Sequence, residues 1–325
     1  MIRRHIFMSA AAATVMLSSC SGNDTKTSPT PTPTATPTPT PTASPTYAAL
    51  PLSGAAEFMT INATTNFTGD IGAGAVTLGA AATEQRTDRV RLATSNVVST
   101  GTFVFREASE ETRFASATPT TPSAAANTEF VFRSDDTTTA GKFSQIEFLN
   151  NVIPTTVTSE PLFASLTQLS YGNWYRGDST AGQKRLTYTV FGYPTVLTDM
   201  PTSGTQAYTA RVVGRIVNNA GATTVVNRIG GTVTLSVNFS TGVVNLTLDL
   251  TQTATGGATT PYATLTASGA IPAGQNQFTG SITGGPLTGT IAGGFFGSQG
   301  SQIGLTFAGS GTNIRLVGDV VGKKS

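Results

Sequence analysis

Residues 231–251, GTVTLSVNFSTGVVNLTLDLT, decide the fold, because apolar and polar side chains alternate on both sides of a short turn. The apolar positions are Val233, Leu235, Val237, Phe239, Val244, Leu246, Leu248 and Leu250. Successive side chains of a strand point to opposite faces, and residues 240–242, STG, are typical of a turn. The stretch therefore predicts a β-hairpin with one buried apolar face.

The same alternation continues to the C-terminus, with short connections and no crossover helix. It predicts strands at residues 205–217, 231–239, 243–251, 262–270, 277–283, 288–296, 302–308 and 314–321. Consecutive antiparallel strands close most economically into an up-and-down barrel, which leaves no exposed edge. Of the 35 glycines, 23 lie after Met200, and tight curvature is one reason for glycine inside a strand. We predict an eight-stranded antiparallel β-barrel over residues 199–325, with a flattened two-sheet sandwich as the alternative.

Residues 47–198 are also β-like in composition but less regular. The strand candidates are residues 101–105, 129–132, 169–175 and 186–191, with a low-complexity loop at 115–128. We expect a smaller, irregular β-sheet region here that packs against the barrel. The chain as a whole is therefore predicted to be all-β.

The first twenty residues predict a lipoprotein signal. Arg3-Arg4 precedes an apolar stretch at residues 6–17, which is shorter than the roughly 20 residues that span a bilayer. The stretch ends in LSSC, which matches a lipobox, and Cys20 is the only cysteine of the chain. We predict that residues 1–19 are removed and that Cys20 is lipidated. The alternative is a plain signal peptide with a chance cysteine.

Residues 20–46 predict a disordered tether between the lipid and the folded part. From residue 27 onward the segment consists almost entirely of Thr, Pro, Ser and Ala. Proline favours the extended polyproline II conformation, so some 20 such residues could reach roughly 60 Å. Ser21 replaces the Asp that holds Gram-negative lipoproteins at the inner membrane. We therefore expect the outer membrane, with the cell surface favoured over the periplasmic face.

The composition argues against catalysis and against metal or cofactor binding. The only histidine is His5, which lies in the signal, so the mature chain would lack both imidazole and a free thiol. Ser-His-Asp and Cys-His catalysis, haem ligation and the usual zinc sites need those groups. Without Arg3-Arg4, the 19 basic residues fall to 17, which equals the acidic count and gives no reason to expect nucleic acid. We predict a protein that is not an enzyme and holds no cofactor.

One aromatic cluster is the best candidate for partner recognition. It comprises Tyr171, Trp174, Tyr175 and Arg176. Trp, Tyr and Arg dominate the energetic hot spots of protein interfaces, although alternating aromatics in a strand more often belong to the core. The acidic residues Glu107, Glu110, Glu111, Asp135 and Asp136 lie in polar, loop-like sequence. We expect those carboxylates to be solvated surface groups.

Several motifs that bracket the predicted barrel resemble transferrin-binding protein B-like surface lipoproteins. They are FGYPT at 191–195, DMPTSG at 199–204, AY at 207–208 with Gly214, GFFG at 294–297, and QIG at 302–304 with Phe307. Taken alone, DMPTSG predicts a tight turn, because Pro201 fixes φ and Gly204 permits a positive φ. The positions that differ from the family pattern are Ala210, Gly300, Gln302 and Leu305.

The resemblance, over about residues 167–321, implies a barrel and a surface receptor or co-receptor that binds a macromolecule. It implies a protein partner, action together with an outer-membrane transporter, and a role in iron, haem or nutrient acquisition. No ligand-binding residue is carried over, because these motifs shape the barrel. Two other functions stay open: a lipocalin-like carrier of a small apolar ligand, since eight-stranded barrels can hold one, and a structural or adhesive envelope lipoprotein.

Overall fold

The computed structural model describes residues 44–154 and 156–325, and of residues 88 and 89 only the backbone. The predicted signal, Cys20 and most of the predicted tether therefore lie outside the described residues. The described chain is almost entirely β-structure. Its helical elements are α1 (Pro161–Ala164) and two 3-10 turns at Leu197–Asp199 and Ser298–Gly300.

The C-terminal half is a closed barrel of eight antiparallel strands. The strands are β9 (Thr205–Asn218), β10 (Val225–Asn238), β11 (Val243–Thr253), β12 (Thr259–Ala270), β13 (Gln277–Gly284), β14 (Thr288–Phe296), β15 (Gln302–Gly311) and β16 (Ile314–Lys324). Each strand pairs with the next in sequence, and β16 pairs with β9 to close the cylinder. The predicted barrel is confirmed, and its closure rules out the two-sheet sandwich.

The barrel interior is a packed apolar core. Within the predicted hairpin, Val233 lies opposite Leu248 and Leu235 opposite Leu246, so the apolar face predicted from the alternation is a single surface. Side chains from all eight strands meet in one cluster of buried residues. An eight-stranded barrel is just wide enough for side chains to fill it, which fits this core.

Two glycines show why the barrel needs residues without a side chain. Gly204 has a φ of +85°, a left-handed conformation that ends the predicted DMPTSG turn at the start of β9. Gly318 lies on β16 beside a buried ring, and a Cβ there would lie 2.5 Å from Cζ of Phe307 and 2.4 Å from the carbonyl oxygen of Val213. The absent side chain therefore leaves room for Phe307 inside the barrel.

The N-terminal half forms a second eight-stranded antiparallel sheet, the first sheet in chain order. Its strands are β1 (Glu57–Thr68), β2 (Thr77–Thr94), β3 (Thr102–Glu107), β4 (Glu110–Ala115), β5 (Glu129–Asp135), β6 (Phe143–Leu149), β7 (Leu169–Gly177) and β8 (Gln183–Gly192). Their order is β4-β3-β2-β1-β8-β7-β6-β5, so β4 and β5 form the two edges. The β-sheet region is confirmed, but it has as many strands as the barrel.

The first sheet curls around a cluster of phenylalanines. Phe103 lies within 5.1–6.0 Å of Phe130, Phe132 and Phe148, measured between ring centroids. Phe114 of β4 stacks on Phe132 of β5 at 5.5 Å, although these two edge strands do not pair through their backbones. Aromatic pairs at this spacing are favourable beyond their buried area, so the rings draw the edges of the sheet together.

The outside of the curled sheet packs against the outside of the barrel. Ile61 of β1 and Val190 of β8 share an apolar cluster with Phe296 and Val321 of the barrel. Strand β1 is therefore covered on both sides, because Phe58 points instead into the aromatic core. This arrangement buries polar groups from both sheets at their interface.

We expect Leu248→Ala to lower the free energy of unfolding by about 2–5 kcal/mol, the range for a buried leucine. Leu248 is buried in the barrel cluster, so the truncation leaves a cavity. Chemical denaturation followed by far-UV circular dichroism measures the change, with Thr247→Ala on the opposite face of β11 as the control. A loss under about 0.5 kcal/mol for Leu248→Ala would contradict the packed interior.

Candidate recognition site

The predicted recognition cluster lies on β7, where alternation divides its side chains between two faces. Tyr171 points toward the barrel, and Tyr175 lies partly buried on the same face. Trp174 and Arg176 point into the curled sheet. The exposed fractions of Tyr171, Trp174 and Arg176 are only 1%, 3% and 5%. Partner contact through these four residues stays a prediction, while their contacts within the chain can be described.

Trp174 is held by both hydrogen bonding and ring packing. Its indole Nε1 donates to Oγ of Ser144 at 2.7 Å, which satisfies the one polar atom of the side chain. Its ring lies 5.1 Å from the ring of Phe105, and the guanidinium carbon of Arg176 lies 3.7 Å from its centroid. A cation so close to an indole face is attracted by the ring quadrupole, so Trp174 and Arg176 position each other.

Arg176 joins β7 to the β3–β4 hairpin by two ion pairs. Its Nη2 lies 3.0 Å from Glu107 Oε2, and its Nε lies 2.9 Å from Glu110 Oε2. Glu110 also pairs with Arg185 of β8. Burial raises the pKa of Glu110, but hydrogen bonds and charges from Arg185 and Arg176 outweigh this and hold it below its usual value.

The expectation of solvated acidic residues is therefore wrong for Glu107. It is buried, and its carboxylate also accepts a hydrogen bond from Thr187 Oγ1 at 2.6 Å. Asp135 and Glu111 do face solvent, where they pair with neighbouring arginines. No local sequence signal separated Glu107 from these residues, because its partners come from strands some 70 to 80 positions further along the chain.

A recess of about 390 Å³ opens beside these side chains, between the edge strand β4 and strands β5 to β7. Its wall includes Glu110, Thr112, Ser144, Trp174, Arg176 and Arg185. The recess joins an aromatic face to paired charges of both signs. Such a surface can seat a side chain of a partner protein, and it brings Trp174 and Arg176 of the predicted cluster together at one opening.

Tyr171 contacts a second set of charged residues, between the first sheet and the barrel, which the sequence did not predict. Its hydroxyl donates to Oε1 of Glu129 at 2.9 Å, and Glu129 pairs with Arg228 of the barrel. Deeper in the interface, Arg215 of β9 makes two hydrogen bonds to Glu147 of β6, at 2.5 and 3.0 Å. Ion pairs thus cross from the barrel to the first sheet.

Asp319 of β16 completes this interface without an ion pair. Its side chain is fully buried (0% exposed), and neither carboxyl oxygen has a hydrogen-bond partner among the described residues. Burial raises the pKa of Asp319 well above its usual value, and the charges of Glu129 and Glu147 raise it further. The amide of Asn173 is close by and acts in the opposite direction.

The described residues contain no group of three or more His, Cys, Asp and Glu side chains placed to hold a metal ion. Within the same residues, no helix has the length and apolar character needed to cross a membrane.

A family model links the barrel to known proteins. The model described as "C-lobe and N-lobe beta barrels of Tf-binding protein B" matches residues 200–324. That range begins in the DMPTSG turn and includes all eight barrel strands. No curated protein matches the chain.

Several solved structures are similar to the chain at low identity. Isotype 1 transferrin binding protein B from serogroup B Neisseria meningitidis is 15% identical, with 82% of this chain and 43% of that one covered, at a TM-score of 0.40. A Trp-176-Ala mutant of transferrin binding protein B from Haemophilus parasuis Hp5 is 11% identical, with 82% of this chain and 76% of that one covered, at a TM-score of 0.38.

HpuA from Kingella denitrificans, solved in complex with human haemoglobin, is 16% identical to this chain. The similarity covers 87% of this chain and 91% of that one, at a TM-score of 0.39. The resemblance is confirmed by the family-model match over residues 200–324, which contains the barrel strands, while FGYPT at 191–195 precedes the matched range. Residues 200–324, which contain all eight barrel strands, match the model of the transferrin-binding protein B barrels.

Proposed function

We propose that this protein is a lipid-anchored outer-membrane lipoprotein, exposed on the cell surface, that binds a protein partner and turns over no substrate. The observation that carries the proposal is the match of the barrel to a family named for transferrin binding. Iron-carrying and haem-carrying proteins are therefore the first candidate partners, and an outer-membrane transporter would accept the cargo.

The sequence supports binding rather than chemistry. The mature chain would contain neither histidine nor an unmodified cysteine, so it lacks imidazole, the commonest general base, and free thiolate as a metal ligand. A role in iron uptake would then work by gripping a carrier protein. The tether would let the folded part move relative to its lipid anchor, so that a large partner can reach it.

The recess beside β4 is the surface we propose for a partner contact. Glu110 and Arg185, whose side chains are 41% and 23% exposed, line its opening. Trp174 lies in its wall and positions Arg176, which in turn pairs with Glu110. The lipocalin-like alternative would need room inside the barrel, where apolar side chains pack instead. The adhesive alternative would need no soluble partner, so a binding measurement separates the three functions.

Lipidation is the first prediction. Intact-mass analysis of protein extracted from membranes should show a triacylated N-terminus at Cys20, because LSSC matches the lipobox. The Cys20→Ser variant should lack this modification and should leave the membrane fraction in a high-salt wash, which also screens electrostatic contacts with lipid. Recovery of that variant in salt-washed membranes, in normal amount, would contradict the anchor.

Partner binding is tested by calorimetry of the mature chain against transferrin, haemoglobin and other iron or haem carriers. Trp174→Ala should weaken the binding by about tenfold, or ~1.4 kcal/mol, if the recess is the contact, because Trp174 positions Arg176 and, through it, Glu110. Phe278→Ala is the matched control, because it truncates a fully buried ring of the barrel core, remote from the recess.

Equal affinity of Trp174→Ala and the wild type, together with easier unfolding of the variant, would show that Trp174 serves only as core. Uptake of an apolar small molecule in stoichiometric amount, with no protein bound, would favour the carrier instead.

A further inference from the structure

The N-terminal end of the described chain is fixed to one end of the barrel. The hydroxyl of Tyr47 donates to Oδ2 of Asp199 at 2.8 Å and accepts from the backbone N–H of Val196 at 3.1 Å. Tyr47 therefore lies at the end of the barrel where β9 begins and β16 finishes. We call the surface around residues 196–200 and Lys323 the tether-end face.

The tether-end face exposes apolar side chains. Val196 and Leu197 are 42% and 54% exposed, although large aliphatic side chains are usually covered in a compact domain. Beside them lies a groove of about 510 Å³, lined by Leu197, Met200, Phe239 and Ile271 together with polar residues such as Ser240 and Gln275. The exposed pair and this groove form a small apolar patch with a polar rim, a pattern that occurs at membrane and protein contacts.

Two lysines flank the same face. The four segments at this end of the barrel are residues 193–204, 239–242, 271–276 and 297–301. Their only acidic residue is Asp199, which is buried and hydrogen-bonded to Tyr47 and Gln299. Lys323 is exposed at the end of β16, and Nζ of Lys324 donates to the carbonyl of Gln299 at 2.6 Å, close to the same turn.

We propose that the tether-end face docks on an anionic lipid surface, with Val196 and Leu197 at the boundary of headgroups and acyl chains. Lys323 and Lys324 would then meet lipid phosphates. Apolar side chains flanked by lysine are the combination that binds such interfaces. The inference rests on the proposed lipid anchor, because a tether that starts at Cys20 keeps this face at high local concentration near the membrane.

The test uses the mature chain with Cys20→Ser, so that no lipid contributes to binding. Its co-sedimentation is measured with vesicles of phosphatidylcholine alone and with vesicles of equal parts phosphatidylcholine and phosphatidylglycerol. We expect binding to the anionic vesicles only. The double variant Val196→Ser/Leu197→Ser should weaken it by about tenfold, and Lys323→Gln by about fivefold.

Val225→Ser is the matched control, because Val225 is also 42% exposed but lies at the opposite end of the barrel, where β10 begins. It should bind like the wild type. Absence of vesicle binding by the wild type, or an equal loss in the Val225 control, overturns the docking. A double variant that loses affinity for a protein partner but not for vesicles assigns the face to that protein and also overturns it. Lipidation is measured separately by mass, so either proposal can fail alone.

Discussion

Glu147→Gln is expected to lower the free energy of unfolding by about 3–5 kcal/mol at neutral pH, the usual effect of breaking a buried ion pair. The variant leaves the guanidinium of Arg215 in the interface between the two sheets without a charged partner of its own. Arg215 and Glu147 are both buried, and their two hydrogen bonds measure 2.5 and 3.0 Å. The large effect comes from the charge of Arg215 that is left unpaired in the interface, rather than from the net contribution of the intact ion pair to stability.

The pKa of Glu147 gives this prediction a pH dependence. Burial raises the pKa of Glu147, but the charge and hydrogen bonds of Arg215 outweigh burial and hold it below its usual value. A carboxyl with a lowered pKa in the folded state stabilises the fold above the pKa of the unfolded chain, and this contribution is lost as the pH falls. The difference between wild type and Glu147→Gln should therefore shrink in acid.

Guanidinium denaturation followed by the fluorescence of Trp174, the only tryptophan, measures this effect in the first sheet. Glu57→Gln is the matched control, since Glu57 makes a 3.0 Å ion pair with Arg91 at the surface. Exposed pairs contribute about 0–1 kcal/mol. Similar losses in the two variants would mean that the inter-sheet pair is as well solvated as a surface pair.

The barrel was predictable from sequence because its strands have one face in the core and one in solvent over much of their length. Strand β14 spans 288–296 as predicted, and six of the other seven begin within three residues of the prediction. Strand β10 begins at Val225, six residues before the predicted start. The prediction began at residue 231 because Gly230-Gly231 interrupts the alternation of apolar and polar residues. A φ of +138° at Gly231 lets the strand continue through that interruption.

The first sheet was less predictable because several of its strands are covered on both faces. Strand β1 has the aromatic core on one side and the barrel on the other, and it buries Thr60 and Asn62 along with apolar residues. Alternation of polarity disappears when neither face meets water. The predicted candidates for this half therefore omitted β1, β2, β4 and β6.

The interface charges could not be predicted because their partners are remote in sequence. Glu147 and Arg215 are 68 positions apart, and Arg228 and Glu129 are 99. A single strand sequence shows only that a charge occurs, and such charges are usually solvated. The sequence located the aromatic cluster on β7, but the prediction placed its residues on one surface. Side chains alternate between the two faces of a strand, so the spacing of Tyr171 and Trp174 already indicated opposite faces.

Asp319→Asn is expected to stabilise the protein at neutral and alkaline pH. It should also weaken the dependence of the free energy of unfolding on pH. The carboxyl of Asp319 is fully buried on β16, and burial raises its pKa well above the usual value. The charges that act on it are those of Glu129 of β5 and Glu147 of β6, and Asp319 in turn acts on the hydroxyls of Tyr171 and Tyr188. The two interface arginines, Arg215 and Arg228, pair with those glutamates, and Asp319 has no ion pair of its own.

The sign of the pH dependence follows from the raised pKa. Above about pH 4 the unfolded chain releases the proton of this carboxyl, whereas the folded chain retains it, so folding takes up a proton. Stability then falls by up to about 1.4 kcal/mol per pH unit until the pH reaches the raised pKa. Asn cannot ionise, so Asp319→Asn should be flatter than wild type over this window in denaturation curves taken at several pH values. Asp249→Asn, at an exposed position of the barrel, is the control that should keep the wild-type slope. Parallel curves for Asp319→Asn and the wild type would show that Asp319 ionises normally, with a counter-charge supplied within the interface.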